Sequence, residues 1–154
     1  MESQEFLQRL TDVHSDADTS NFNILDFLGP FGSPFQAILY SHLFWPNFVE
    51  FEGMIFMQDL IETEEDRNNI RRYFLKAQST REVEKSFNQF PIPSSFLNIN
   101  SFSTTDQENL YLAHKLAEIW DFRLKQLFPE KQFEIVVMTA EETDDQPTIS
   151  ICQS

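Results

Sequence analysis

The most regular pattern of apolar and polar residues in the chain lies between residues 106 and 128. The apolar side chains recur there every three or four residues, at Leu110, Ala113, Ala117, Trp120, Leu124 and Leu127. Thr105-Asp106-Gln107-Glu108 has the sequence of a helix capping box, and Pro129 follows the last apolar position. The pattern predicts a long central helix near 106–128 that buries one broad face.

Strand patterns flank this region on both sides. Val49 and Phe51 alternate with Glu50 and Glu52, and after Gly53 comes the apolar run 54–57. This predicts either a hairpin turning at Glu52-Gly53 or one long strand with a bulge at Gly53. The β-rich segments 133–138 and 148–152, separated by an acidic loop, predict a second hairpin.

Further helix-start signals occur at Ser3, Ser33-Pro34, Thr63 and Ser79. A short helical turn is predicted over 24–28 before Gly29-Pro30, and the helix that starts at Ser79 is predicted to reach Phe90. The segment 91–104 is predicted to cross the surface and pack onto it. Together these elements predict a single α+β domain over 1–154, with a small three- to four-stranded, mainly antiparallel sheet packed by four to five helices.

The charge of the chain narrows the possible partners. The 154 residues include 25 acidic and 11 basic side chains, a net charge of −14, and residues 1–66 contain 13 acids against the single base Arg9. Nucleic acids and anionic membranes are disfavoured because they need clustered Lys and Arg. A basic protein partner is favoured, although acidity also serves solubility alone. An amino terminus without signal-peptide character and the absence of a long apolar run predict a cytoplasmic location.

Signatures of catalysis and cofactor binding are missing from the sequence. Cys152 is the only cysteine, and three glycines are too few for a phosphate-binding loop, so we expect no metal and no cofactor. The best acid–base candidate is His114, because Glu118 and Asp121 follow it on the same border of the predicted helix. The alternative for these three residues is an ordinary helix-surface pair. The chain is therefore expected to be a binding protein more than an enzyme.

Two further groups of residues are candidates for binding. Phe44, Trp45 and Phe48, with Glu50 and Glu52 beside them, could present an aromatic anchor to a protein partner, or could belong to the core. A second group lies on one predicted helix and could grip a carboxylate or phosphate, or could neutralise nearby acids: Arg67, Arg71 and Arg72.

Three hypotheses about function follow. The leading one is an acidic protein-interaction module that binds a basic partner. In composition the chain resembles bacterial immunity proteins and antitoxins, and this resemblance implies an inhibitor of a basic toxin; it includes no shared motif and transfers no residues. The alternatives are a small-molecule-binding domain or modest enzyme, with His114 in a helix–sheet pocket, and a homodimeric structural protein.

Overall fold

The computed structural model describes residues 3–16, 18–92 and 104–154. Within them the helices are α1 Ser3–Val13, α2 Leu28–Phe31, α3 Pro34–Phe44, α4 Glu64–Phe74, α5 Thr80–Phe87, α6 Asp106–Leu127 and α7 Ala140–Thr143. The strands are β1 Phe48–Phe51, β2 Met54–Met57, β3 Gln89–Pro91, β4 Phe133–Met138 and β5 Thr148–Gln153. The predicted α+β class and the long helix are confirmed.

The strands form two antiparallel sheets. The first is the hairpin β1–β2, in which Phe51 pairs with Met54. Glu52 and Gly53 between them have φ of 53° and 81°, as a two-residue hairpin turn requires. The second sheet has the order β3-β5-β4. The hairpin alternative at Glu52-Gly53 is therefore confirmed, and so is the hairpin at the carboxyl end.

The details differ from the prediction in the number of elements, since the described residues form two sheets in place of one and seven helices in place of four to five. Two elements also differ in their bounds. The short helix near residue 28 is Leu28–Phe31 and not 24–28, because Pro30 lies in its first turn, where the missing N–H breaks no helical hydrogen bond. The helix after Ser79 ends at Phe87, and Gln89–Pro91 pair with β5 as a strand. Most of the predicted crossing at 91–104 lies outside the described residues.

The long helix α6 organises the larger part of the core. Its buried residues Ala113, Leu116, Trp120 and Leu124 pack with Ile149 and Ile151 of β5 and with apolar side chains of the first sheet. The ring of Phe90 meets the Trp120 ring edge to face at 5.4 Å, and the indole N–H of Trp120 donates to the Leu43 carbonyl at 2.8 Å. Trp120 thus joins three elements.

The first turn of α6 is held by a capping box. Thr105 and Glu108 exchange hydrogen bonds, and Arg9 of α1 lies 3.2 Å from the Glu108 carboxylate. Desolvation acts to raise the pKa of Glu108, but the hydrogen bonds from Thr105 and the charge of Arg9 outweigh it, so this pKa is held below its ordinary value. The same ion pair fastens α1 to α6.

Strand β2 is buried on both faces and separates two groups of core residues. Ile55 and Met57 face the core beneath α6, whereas Met54 and Phe56 pack with residues of α4 and α5. Because all four residues of β2 are buried, the outer edge of this strand needs hydrogen-bond partners inside the protein.

A buried carboxylate supplies part of that need. Glu84 of α5 is fully buried, and its carboxylate accepts hydrogen bonds from the backbone N–H of Ile55 at 2.6 Å and of Gln153 at 2.8 Å. The side-chain amide of Gln153 donates to it at 2.6 Å. One side chain therefore links β2 of the first sheet to β5 of the second.

Asn88, one helical turn later, continues the link. Its side-chain oxygen accepts from the N–H of Met57 at 3.3 Å, and its side-chain nitrogen donates to the Ile55 carbonyl at 2.8 Å. The N–H of Ile151 donates to the Asn88 backbone carbonyl at 3.3 Å. We call Glu84 and Asn88 the sheet junction, since together they satisfy the facing edges of β2 and β5.

Replacing Trp120 by alanine should lower the free energy of unfolding by about 3–5 kcal/mol, because it leaves a large cavity and an unpaired Leu43 carbonyl. Urea denaturation followed by circular dichroism measures the loss. A loss below about 1 kcal/mol would mean that Trp120 is not a core residue.

Glu84→Gln should lower the free energy of unfolding by about 1–3 kcal/mol, because a carboxamide cannot accept from all three N–H donors. Glu82→Gln is the matched control: Glu82 is exposed on the same helix, and its replacement should change stability by less than about 0.5 kcal/mol. Equal losses in the free energy of unfolding for the two substitutions would show that the hydrogen bonds of Glu84 do not stabilise the fold.

Candidate protein-interaction surface

Helix α3 leaves most of its apolar side chains in solvent. Ten of its eleven residues are exposed and only Leu43 is partly buried. The exposed fractions are 76% for Phe35, 63% for Ile38 and 59% for Leu39. We define the α3 surface as the exposed apolar side chains of this helix and its two flanks: Leu28, Phe31, Phe35, Ile38, Leu39, Tyr40, Phe44 and Trp45.

Charge is absent from this part of the chain. Residues 27–49 include no Asp, Glu, Lys or Arg. A helix that is apolar on all sides is normally buried in a core, a membrane or an interface. None of the helices formed by the described residues combines the length and apolar character that crossing a bilayer would need.

The attachment of α3 explains why its surface stays open. Its hydrogen bond to α6 is made by the carbonyl of Leu43, at its carboxyl end. Just beyond the helix, Arg123 of α6 donates to the Pro46 carbonyl at 3.3 Å, and its guanidinium lies 5.2 Å from the centre of the Trp45 ring. These contacts hold the carboxyl end of α3, and Phe35, Ile38 and Leu39 precede them in the helix.

Shallow depressions lie on both sides of α3. One of about 440 Å³ lies between α2 and α3 and is lined by Leu28, Phe31, Pro34, Ala37 and Tyr40, among others. The other, of about 280 Å³, lies between α3, the end of β2 with the residues after it, and Phe90 of β3. Its lining includes Leu39, Leu43, Leu60 and Phe90, with the single carboxylate Asp59. The α3 surface therefore offers two largely apolar recesses, one of which has the acidic side chain of Asp59 in its lining.

Ring stacking holds the α2 side in place. The His14 ring lies 3.7 Å from the Phe31 ring and nearly parallel to it, and Phe27 beneath them is buried. The Phe22 ring meets the Phe27 ring edge to face at 5.2 Å. These contacts order the segment that leads into α3, so that the recess beside α2 has a defined wall.

The aromatic residues suggested by the sequence are divided between surface and core. Phe44 and Trp45 are exposed, Trp45 to 46%, and the Trp45 ring lies 6.1 Å from that of Phe122. Phe48 is only 5% exposed and packs in the core beneath α6. Phe44 and Trp45 can therefore contact a partner directly, and Phe122 extends the surface onto α6.

The neighbouring acids Glu50 and Glu52 are each paired with a basic side chain. Glu50 lies 3.1 Å from Lys131, and Glu52 lies 2.7 Å from Arg71. Hydrogen bonds from Arg71 to Glu52, and then to Glu64, raise the pKa of Arg71 above its ordinary value. The guanidinium also lies 5.0 Å from the Phe51 ring centre.

The two other arginines are also bonded within the chain. Arg67 donates to the Ile61 carbonyl and lines a depression of about 530 Å³ that it shares with Glu50 and Glu62. Arg72 donates to Asn69. Carboxylates beside Arg67 oppose the approach of an anion, so these positions give the anion-binding hypothesis no geometric support.

His114 points into solvent on α6. The two carboxylates near it in sequence have lysine partners: Glu118 lies 2.8 Å from Lys115 and Asp121 lies 2.5 Å from Lys125. The hydrogen bond to Glu118, followed by its charge, raises the pKa of Lys115. The enzyme hypothesis needs an enclosed cavity around His114, and an exposed side chain does not provide one.

Metal binding gains no geometric support within residues 3–16, 18–92 and 104–154, where no group of three or more His, Cys, Asp or Glu is arranged to hold an ion.

Neither a protein-family model, nor a curated protein, nor a solved structure matches this chain.

The amino-terminal half of α3 did not emerge as a candidate from the sequence. Phe35, Ile38 and Leu39 have the spacing of a buried helix face, and Phe122 lies outside the apolar face that was predicted for α6. The available signal was the uncharged stretch 27–49 combined with apolar residues on every side of the predicted helix, where a surface helix has a single apolar stripe.

Replacing Phe35, Ile38 and Leu39 together by glutamine should leave the free energy of unfolding within about 1 kcal/mol of wild type, since exposed positions contribute little and glutamine favours helix. Binding of a hydrophobic dye should fall. Leu116→Gln, in the core beneath α6, is the control and should destabilise by several kcal/mol. A loss of comparable size for the triple variant would show that α3 is packed.

Proposed function

We propose that this protein is an acidic interaction module whose α3 surface binds a basic protein partner. The observation that carries the proposal is the exposure of Phe35, Ile38 and Leu39 on a helix without charge. Exposed clusters of large apolar side chains often mark protein interaction sites. Trp45 and Phe44 supply aromatic side chains of the kind that dominate interface energetics.

The charge distribution supports a basic partner. Between residues 10 and 66 the chain has no Lys or Arg, while Asp26 and Asp59 are exposed in the segments before and after α3. A partner that brings apolar side chains bordered by Lys or Arg would meet both the apolar recesses and the negative field. A second copy of this chain would bring the same exposed Asp26 and Asp59 to the α3 surface, so it fits this surface less well than a cationic protein does.

A basic toxin, the partner class implied by the compositional resemblance, would meet this description, as would any other cationic protein with an apolar binding segment. A cytoplasmic location stays a prediction. The enzyme alternative has no specific observation in its favour.

A labelled synthetic helix made of leucine and lysine tests the proposal, with a leucine–glutamate helix of the same pattern as its counterpart. The lysine peptide should bind, and its association rate should fall about tenfold or more as salt rises from about 0.01 to 0.15 M. Trp45 is half-exposed and Trp120 is buried, so the change in tryptophan emission should come from Trp45. Fluorescence anisotropy and stopped-flow mixing give affinity and rate.

Two variants distinguish binding at the α3 surface from nonspecific attraction to an acidic protein. The Phe35, Ile38 and Leu39 glutamine variant should bind the lysine peptide at least about tenfold more weakly, equivalent to about 1.4 kcal/mol. Leu75→Gln is the matched control, because Leu75 is 85% exposed directly after α4 and is not part of the α3 surface. Unchanged binding by the triple variant, or equal binding of the glutamate peptide, would refute the proposed function.

A further inference from the structure

Strand β4 has an outer edge that no other described strand covers. It is last in the order β3-β5-β4 and pairs with β5 alone among the described strands. All six of its residues are partly exposed, and Glu134 is the only polar one. An open edge of an apolar strand offers a row of N–H and C=O groups to another strand.

The hydrogen-bond pattern tells which residues face outward. The N–H of Ser154 donates to the Gln132 carbonyl at 2.9 Å, and Glu134 pairs with Cys152 in the same register. Alternate residues of an antiparallel strand bond to the same neighbour, so Glu134, Val136 and Met138 bond to β5. The backbone groups of Phe133, Ile135 and Val137 therefore point away from it.

We propose that β4 pairs with β4 of a second copy, antiparallel, about a twofold axis at Ile135. Only this register places all three outward-facing residues opposite outward-facing residues within the strand, giving about six hydrogen bonds. Phe133 then lies opposite Val137 of the second copy, and Ile135 lies opposite its counterpart. Aromatic and β-branched residues are favourable cross-strand pairs. The outer edge of β4 can therefore pair with the same edge of a second copy.

The charges near the edge allow the approach. Glu134 is already paired with Arg81 and lies 3.5 Å from Lys85, so its carboxylate brings no uncompensated charge. The acidic turns at 141–145 would lie at opposite ends of the paired strands, about 20 Å apart at strand spacing, which exceeds the screening length of about 8 Å in physiological salt. The strongly acidic segment 1–66 contributes no residue to β4.

A six-residue strand pair buries less than the roughly 1,200 Å² of a stable interface, so we expect a weak dimer that forms at concentrations on the order of tens of micromolar or above. This inference is independent of the proposed function, which concerns a different surface. An extended segment of another protein could use the same edge, and would leave the chain monomeric by itself.

Amide hydrogen exchange by NMR tests the pairing on the wild-type protein. The amides of Phe133, Ile135 and Val137 should exchange about fivefold more slowly at 1 mM than at 10 µM, as the monomer fraction falls by mass action, while Glu134, Val136 and Met138 stay protected at both concentrations. Sedimentation should show the dimer at the higher concentration. Fast exchange at all three outward amides at 1 mM, or full protection in a proven monomer, would overturn the proposal.

Substitutions separate this edge from the α3 surface. Val137→Pro removes one outward N–H without removing a bond to β5, and should abolish the dimer; Val137→Ile keeps the N–H and should preserve it. Should Val137→Pro fail to fold, the exchange pattern of the wild type decides. The glutamine variant of Phe35, Ile38 and Leu39 should dimerise like wild type, and loss of its dimer would assign self-association to α3 instead.

Discussion

The sheet junction is the constraint on which the rest of the structure depends. Two short sheets would each expose an unpaired edge inside the protein, and an unpaired buried N–H costs about 1–3 kcal/mol. Glu84 in α5 and Asn88, which caps the carboxyl end of α5, satisfy both edges. This lets β2 lie between two groups of core residues, with α6 over one and α4 and α5 over the other.

Because α4, α5 and α6 already cover the core, most of α3 is not needed to cover it. Leu43 reaches the core at the end of the helix, and the residues before it remain outside. The uncharged stretch 27–49 lies within the first 66 residues, which carry most of the negative charge of the chain. The combination keeps an apolar surface in water while selecting against acidic partners at the α3 surface.

Local signals predicted most of the fold. Caps at Thr63, Ser79 and Thr105 and the apolar period of α6 were sufficient, because helix starts depend on neighbouring residues alone. Strand β3 was predicted as helix because Phe90 continues a helical spacing, and pairing with a distant strand overrode it. Glu84 could not be recognised, since its donors come from Ile55 and from residue 153. Likewise, the exposure of Phe35 depends on how the core closes elsewhere.

The central claim is that α3 presents its apolar side chains to solvent in the free protein. Hydroxyl-radical footprinting of a dilute sample, read by mass spectrometry, measures side-chain accessibility directly. The account predicts strong oxidation of Phe35, Ile38 and Leu39, with Trp120 and Ile151 protected, as their burial in the structure implies. Protection of the α3 side chains to the level of Trp120 would contradict it.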